Sequence, residues 1–307
     1  MTTALLVEQL LNGFQLGILL FLLAAGLTLV FGIMDFVNLA HGSFYMLGAF
    51  ITAAIGLASG SFIIGAFLTI PSMMVIGILL EIVVLRTLYT RDHLDQVLAT
   101  FGVVIFVNEL VVLIWPTVGL SVPLPAFLDE SVILPLGIEY PVFRLLVIVV
   151  GLLAALGLYL LVSKTRLGML IRAGASNRTM VGALGVNIKI LFSFVFGLGA
   201  MLAGLGGTMM APIVGAATGM GEERLILAFV VIVIGGIGSI KGAFVAAVLI
   251  GLIDTMGRSF LDVIFLALFN PNTAETAGPA VSAMLTYILM ALVLFFRPQG
   301  LFPPKVR

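Results

Sequence analysis

Leu145-Leu-Val-Ile-Val-Val-Gly151-Leu-Leu-Ala-Ala-Leu-Gly157-Leu-Tyr159-Leu-Leu-Val162 carries no charge and no polar alternation. A lipid-facing barrel strand alternates apolar and polar residues over about 10 positions. A membrane helix needs about 20 predominantly apolar residues. Only helices and closed barrels satisfy the backbone in lipid, so this run is a spanning helix, and Ala280–Phe296 reads the same way. The whole chain agrees. Of 307 residues, 62% are hydrophobic and only 9% charged, with a mean hydropathy of +1.32. A soluble domain could not cover that much apolar surface. The fold class is therefore an all-α membrane protein, a polytopic helical bundle.

Working outward from 145–162, the expected spans are 10–33, 36–58, 62–85, 96–115, 143–163, 189–212, 224–239, 242–257 and 278–296. Nine crossings result, or eight if the start of 36–58 is re-entrant. No Lys or Arg precedes the first span, which reads as an anchor and not as a cleaved signal. The 164–189 loop holds Lys164, Arg166, Arg172, Arg178 and Lys189 and no acid. The positive-inside rule places it in the cytoplasm. Arg86 and Arg91 agree, as do the C-terminal Arg297, Lys305 and Arg307. The 117–142 loop carries Asp129, Glu130 and Glu139 and is expected outside. Nine crossings leave the N-terminus outside, and eight reverse it. No polar stretch is long enough for a soluble domain, so residues 1–307 read as one transmembrane domain.

The composition excludes several functions. Net charge is zero, which removes a basic nucleic-acid footprint. There is no Cys and there are two His, which removes thiolate zinc sites, haem thiolates and iron–sulfur clusters. No P-loop and no H-E-x-x-H pattern occurs. The chain is expected to be no enzyme and to carry no cofactor or metal of its own.

Three segments depart from plain membrane helix. Span 36–58 opens with Asn38, His41, Gly42 and Ser43, polar for its place. Spans 224–239 and 242–257 are each about 24 Å long, short of the roughly 30 Å core. They meet at Gly235-Gly236-Ile237-Gly238-Ser239-Ile240-Lys241-Gly242, an interrupted helix or tight turn. His41-Gly42-Ser43-Phe44 parallels Lys241-Gly242-Ala243-Phe244, each after a Gly-Ile pair. Paired interruptions in two halves point to an internal, inverted repeat around a transport path. Glycines from Gly197 to Gly221 suit close helix packing, with Ala203 and Gly207 one small-residue pair and Pro212 a kink or end.

Several polar residues are candidates for lining a path. Asn38, His41 and Ser43 are one group; the alternative is a helix cap by Asn38 or Asp35. Asn108 and Glu109 lie in span 96–115, where the alternative for Glu109 is a protonated or cross-helix paired structural group. Glu81 with Arg86, and Asp254 with Arg258, read as structural ion pairs. In the cytoplasmic loop, Ser176 or Asn177 can cap a short helix that Gly185 stops. Met180, Val181, Ala183 and Leu184 form its apolar face beside Arg172. Such a helix suits a groove on a partner protein; the alternative is a helix lying on anionic lipid.

This loop resembles the coupling loop of ABC-importer permeases, in the form found in the branched-chain amino acid family. Asn12-Gly13, Gly26-Leu-Thr28, Phe31-Gly32-Ile33 and Asn38-Leu-Ala40-His41-Gly42 are similar to that family's N-terminal signature. The Gly235–Ser239 turn and Arg297-Pro298-Gln299-Gly300-Leu301 match in the same order, so the resemblance, to LivH-type permeases, covers nearly the whole chain. Lys241 stands where such permeases often carry proline. The resemblance implies a substrate path for branched-chain amino acids delivered by a periplasmic binding protein. It implies a second permease subunit, LivM-like or a second copy, and two ATPase subunits that hold ATP and Mg and dock on residues 172–185. It also implies a bacterial inner membrane. The alternatives are an ion-coupled secondary transporter and a pore for a small neutral solute such as urea.

Overall fold

Every long apolar run becomes helix in the computed structural model, which describes residues 3–115, 119–268 and 270–303. In chain order the α-helices are α1 (Thr3–Met34), α2 (His41–Ser59), α3 (Phe62–Val83), α4 (His93–Ile114), α5 (Ala126–Asp129), α6 (Val142–Lys164), α7 (Arg166–Ser176), α8 (Arg178–Ala183), α9 (Ile188–Val214), α10 (Met220–Gly235), α11 (Ile240–Leu268) and α12 (Pro271–Phe296). Among the described residues, seven helices are long and apolar enough to cross a membrane, and Ala280–Phe296 of α12 is a shorter apolar segment. The chain is an all-α polytopic membrane protein. Lys305 and Arg307, used above for orientation, lie outside the described residues.

Three boundaries differ from the sequence reading. The expected span 242–257 is the start of the 29-residue α11. Arg258, just past the expected end, did not stop the helix: Nε and Nη2 each lie 3.0 Å from the Asp254 carboxylate one turn earlier. An intrahelical pair of this kind lets charge continue in an apolar helix. The expected outer loop holds an antiparallel hairpin, β1 (Ser131–Leu134) with β2 (Ile138–Pro141), turning at Gly137 with φ +72°. The expected short helix capped at Asn177 is α8, and a further helix that was not expected, α7, precedes it.

The chain divides into two compact units. One comprises Leu22–Pro125 and Leu153–Ala228. Its centre is α2 and α3 packed on α9. Small residues allow this. The Gly48 Cα faces the Gly204 backbone, and Gly207 meets the Tyr45 carbonyl, with no room for a Cβ at either place. Between them Thr52 Oγ1 hydrogen-bonds Thr69 at 3.0 Å and Thr208 at 2.9 Å, joining the three helices through buried hydroxyls. Such bonds inside membranes contribute about 0.6 kcal/mol each, so close packing carries most of the cohesion.

The other unit comprises Met1–Phe21, Ala126–Leu152 and Phe229–Arg307. Here α11 packs on α12, and Asn12 accepts from Tyr140 Oη (3.2 Å) and Arg144 Nη1 (2.6 Å). The 236–239 turn separates α10 from α11, and Ser239 Oγ caps α11 by accepting from Gly242 N at 3.1 Å. The tail closes this turn. Leu301 N and Phe302 N donate to the Ile234 and Gly235 carbonyls at 2.8 and 3.0 Å, satisfying the open end of α10. The two C-terminal motifs are therefore partners. Both members of the His41/Lys241 repeat lie in the first turn of a helix, α2 and α11.

Candidate functional site

Residues 35–40 leave the helix between α1 and α2. Asp35 adopts φ +51°, uncommon for a residue with a side chain. The segment's backbone needs partners, because bare N–H groups in an apolar setting are costly. α4 supplies them. Val37 N donates to Gln96 Oε1 and Leu39 N to Thr100 Oγ1, both at 3.2 Å. Gln96 Nε2 is itself anchored on the Leu88 and Arg91 carbonyls. Neither Gln96 nor Thr100 was singled out from the sequence. Their i, i+4 spacing on one face of an apolar helix was the available signal.

Asn38 and His41 are fully buried and Ser43 is 4% exposed. The side-chain polar atoms of Asn38 and Ser43 have no hydrogen-bond partner among the described residues, and the same holds for the buried Thr28 hydroxyl. Asn38 does not cap α2: the cap position is Ala40, with no side-chain bond. Leaving one such group unpaired costs about 1–3 kcal/mol. Asn38 and Ser43, five positions apart, both bear that cost. His41 sits where α1, α2 and α9 meet. A Cβ on Gly26 would lie 2.7 Å from His41 Nε2 and 2.5 Å from the Gly199 carbonyl. The ring lies edge-on to Phe44, which in turn lies edge-on to Phe196.

Asn108 and Glu109 part company. Asn108 Nδ2 donates to Glu222 Oε1 in the first turn of α10, while Asn108 Oδ1 and Glu222 Oε2 are buried and unpartnered among the described residues. Glu109 points the other way and is exposed, so it does not join the buried group. Glu222 was not foreseen, because acids in a first helical turn are commonplace. Gly42 of α2 and Gly221 of α10 bring these two first turns together: a Cβ on Gly42 would lie 2.5 Å from the Gly221 carbonyl.

A second buried cluster is structural. Glu81, fully buried, accepts from Arg86 (2.9 and 3.1 Å), Ser193 (2.6 Å) and Tyr89 (2.9 Å). Burial, reinforced by the Glu81 carboxylate, pushes the Tyr89 phenol above its ordinary range, so it stays a donor. The cluster ties the end of α3 to the first turns of α9. Glu81→Gln keeps an acceptor but removes the charge that Arg86 pairs with. It is expected to lower the thermal midpoint in detergent by several degrees, with partial recovery in Glu81→Asp. An unchanged midpoint would count against this role.

In the 164–189 loop, α8 is capped by Asn177, whose Oδ1 accepts from Met180 N at 2.9 Å. Ser176 is instead the last residue of α7, and Arg172, also in α7, reaches back to the Val162 carbonyl. Gly185 follows α8 at φ +87°. Val181 turns inward at 6% exposure, whereas Met180 and Leu184 are 58% and 76% exposed, with Ala183 beside them. Arg178 holds α8 in place. Its Nη2 donates to the Met34 carbonyl at 3.4 Å and its guanidinium stacks 5.9 Å from the Phe192 ring centre. Met34 immediately precedes the 35–40 connection, so α8 is joined to the segment that carries Asn38.

The family model for the permease component of branched-chain amino acid transport systems matches residues 9–294. The high-affinity branched-chain amino acid transport permease BraD of Pseudomonas aeruginosa is 31% identical over 308 residues, covering 96% of this chain and 94% of its own. The LivH permease of Escherichia coli K12 is 26% identical over 315 residues with the same coverages. A probable LivH permease of Methanocaldococcus jannaschii is 25% identical, covering 92% and 88%. No solved structure matches the chain.

Proposed function

Since this chain belongs to the family of branched-chain amino acid transport permeases, we propose that it forms part of the path by which an ATP-driven importer moves branched-chain amino acids across a bacterial inner membrane. The match to that family over residues 9–294 is the observation that carries the reading. The residues supply a mechanism. A periplasmic binding protein provides affinity, so the path itself needs few polar contacts. Asn38, His41 and Ser43 line it, with Asn108 nearby; Glu109, exposed, is left out. Two ATPase subunits bind ATP and Mg and dock on α8 through Met180, Ala183 and Leu184, with Asn177 and Gly185 fixing the helix ends. The buried Val181 and the α7 residues Arg172 and Ser176 hold that surface from behind. Movement at α8 passes through Arg178 to Met34 and the 35–40 connection. A second permease subunit, LivM-like or another copy, completes the path. The 164–189 loop and the C-terminus face the cytoplasm.

The test is leucine uptake into proteoliposomes containing the chain with its co-purified ATPase, permease and binding-protein partners. Uptake is expected to need ATP and every partner. Gradient-driven uptake or passive leak by the lone chain, indifferent to ATP, would overturn the reading in favour of a secondary carrier or a pore.

A further inference from the structure

Two helices begin against each other in the same compact unit. The first turn of α2 touches the first turn of α10 through Gly42 and Gly221. Each helix start carries partial positive charge, and two together favour an anion. Around the α2 start, the fully buried Asn38 and the nearly buried Ser43 hold an amide and a hydroxyl without partners among the described residues. At the α10 start, Glu222 presents one carboxylate oxygen to Asn108 and keeps the other buried and unpartnered. A lone anion would be repelled by Glu222, and a lone cation by the paired helix ends. A molecule with both charges a few ångströms apart satisfies both.

We propose that the first turns of α2 and α10 form a subsite for the zwitterionic head of a free α-amino acid. The carboxylate sits at the α2 end with Asn38 and Ser43, and the ammonium meets Glu222. The apolar side chain makes no charged contact there. This inference rests on the permease reading and gives it an address for the substrate's polar end.

The chain has no cysteine, so Ser43→Cys introduces the one thiol of this chain, and labelling is read on its band alone. The assembled transporter carrying Ser43→Cys is labelled with a small methanethiosulfonate reagent during turnover, with leucine, leucinamide (no carboxylate) or isocaproate (no ammonium) present. Leucine is expected to protect at concentrations at least about tenfold below the other two, the loss of one charge-assisted contact. Adding Glu222→Gln is expected to raise the half-protecting concentration of leucine about tenfold and to lower that of isocaproate, whose carboxylate no longer meets a like charge. Equal protection by all three compounds, no protection by leucine, or an equal shift for leucine and isocaproate on Glu222→Gln would each overturn the subsite. ATP-driven uptake without protection keeps the permease reading and rejects the subsite. Protection without ATP-driven uptake keeps the subsite and rejects the importer.

Discussion

Met180→Asp combined with Leu184→Asp is expected to abolish ATP-driven uptake while leaving the fold in place. Both side chains are among the most exposed apolar groups of the 164–189 loop. A groove that receives them loses apolar burial and gains two carboxylates that must be desolvated. Loss of a central anchor typically costs about 2–4 kcal/mol of binding, or roughly 30- to 1,000-fold. Stability should change by less than about 0.5 kcal/mol, because neither side chain packs inside the protein. Co-purification of the ATPase and uptake are the two measurements. Both are expected to fall, with the thermal midpoint of the permease alone unchanged. Val181→Asp is the contrast: at 6% exposure it faces inward, so it should lower the midpoint as well. Normal uptake by the double variant would remove α8 from the coupling role and leave a helix lying on lipid as the better account.

Gly48→Ala is expected to cost about 2–3 kcal/mol, the upper range for overpacking a tight core. In a helix interior alanine is normally better than glycine by about 1 kcal/mol, so packing must reverse the sign. It does so because the new methyl would meet the Gly204 backbone, which is fixed by its own helix and cannot rotate aside as a side chain would. Gly102 supplies the control. It lies in α4, and a Cβ there meets nothing within 4 Å. Gly102→Ala should be neutral or slightly stabilising by the same measurement, the thermal midpoint in detergent and lipid. Equal behaviour of the two variants would show that α2 and α9 do not approach as closely as described. The contrast also separates glycines that serve helix contact from those that do not, which spacing alone cannot do.

Apolar periodicity and length place the helices, because in lipid a backbone has few alternatives to helix and an uncharged run of this length has only one way to satisfy its hydrogen bonds. Asn177 and Gly185 are legible as helix ends for the same reason: capping is chemistry between near neighbours. The Glu81–Arg86 and Asp254–Arg258 pairs were legible too, each within one or two turns of chain. Reading failed where a partner is far away in sequence. Asn38 was open to two readings, path or cap, and only its position two residues before Ala40, without a bond, excluded the cap. Glu109 and Asn108 are adjacent letters, yet one is exposed and the other reaches Glu222. Glu222 gains its interest only from Asn108, 114 residues earlier, and from the Gly42–Gly221 contact.

Membrane residence, helical architecture and the short capped helix α8 were thus determined by the amino-acid sequence itself, since hydrophobic transfer and local hydrogen bonding act on contiguous residues. Which polar groups are buried together, and which glycines are contact points, was decided only by the tertiary structure. Those properties depend on how α2, α4, α9 and α10 approach, and that approach is set by packing among residues tens to hundreds of positions apart.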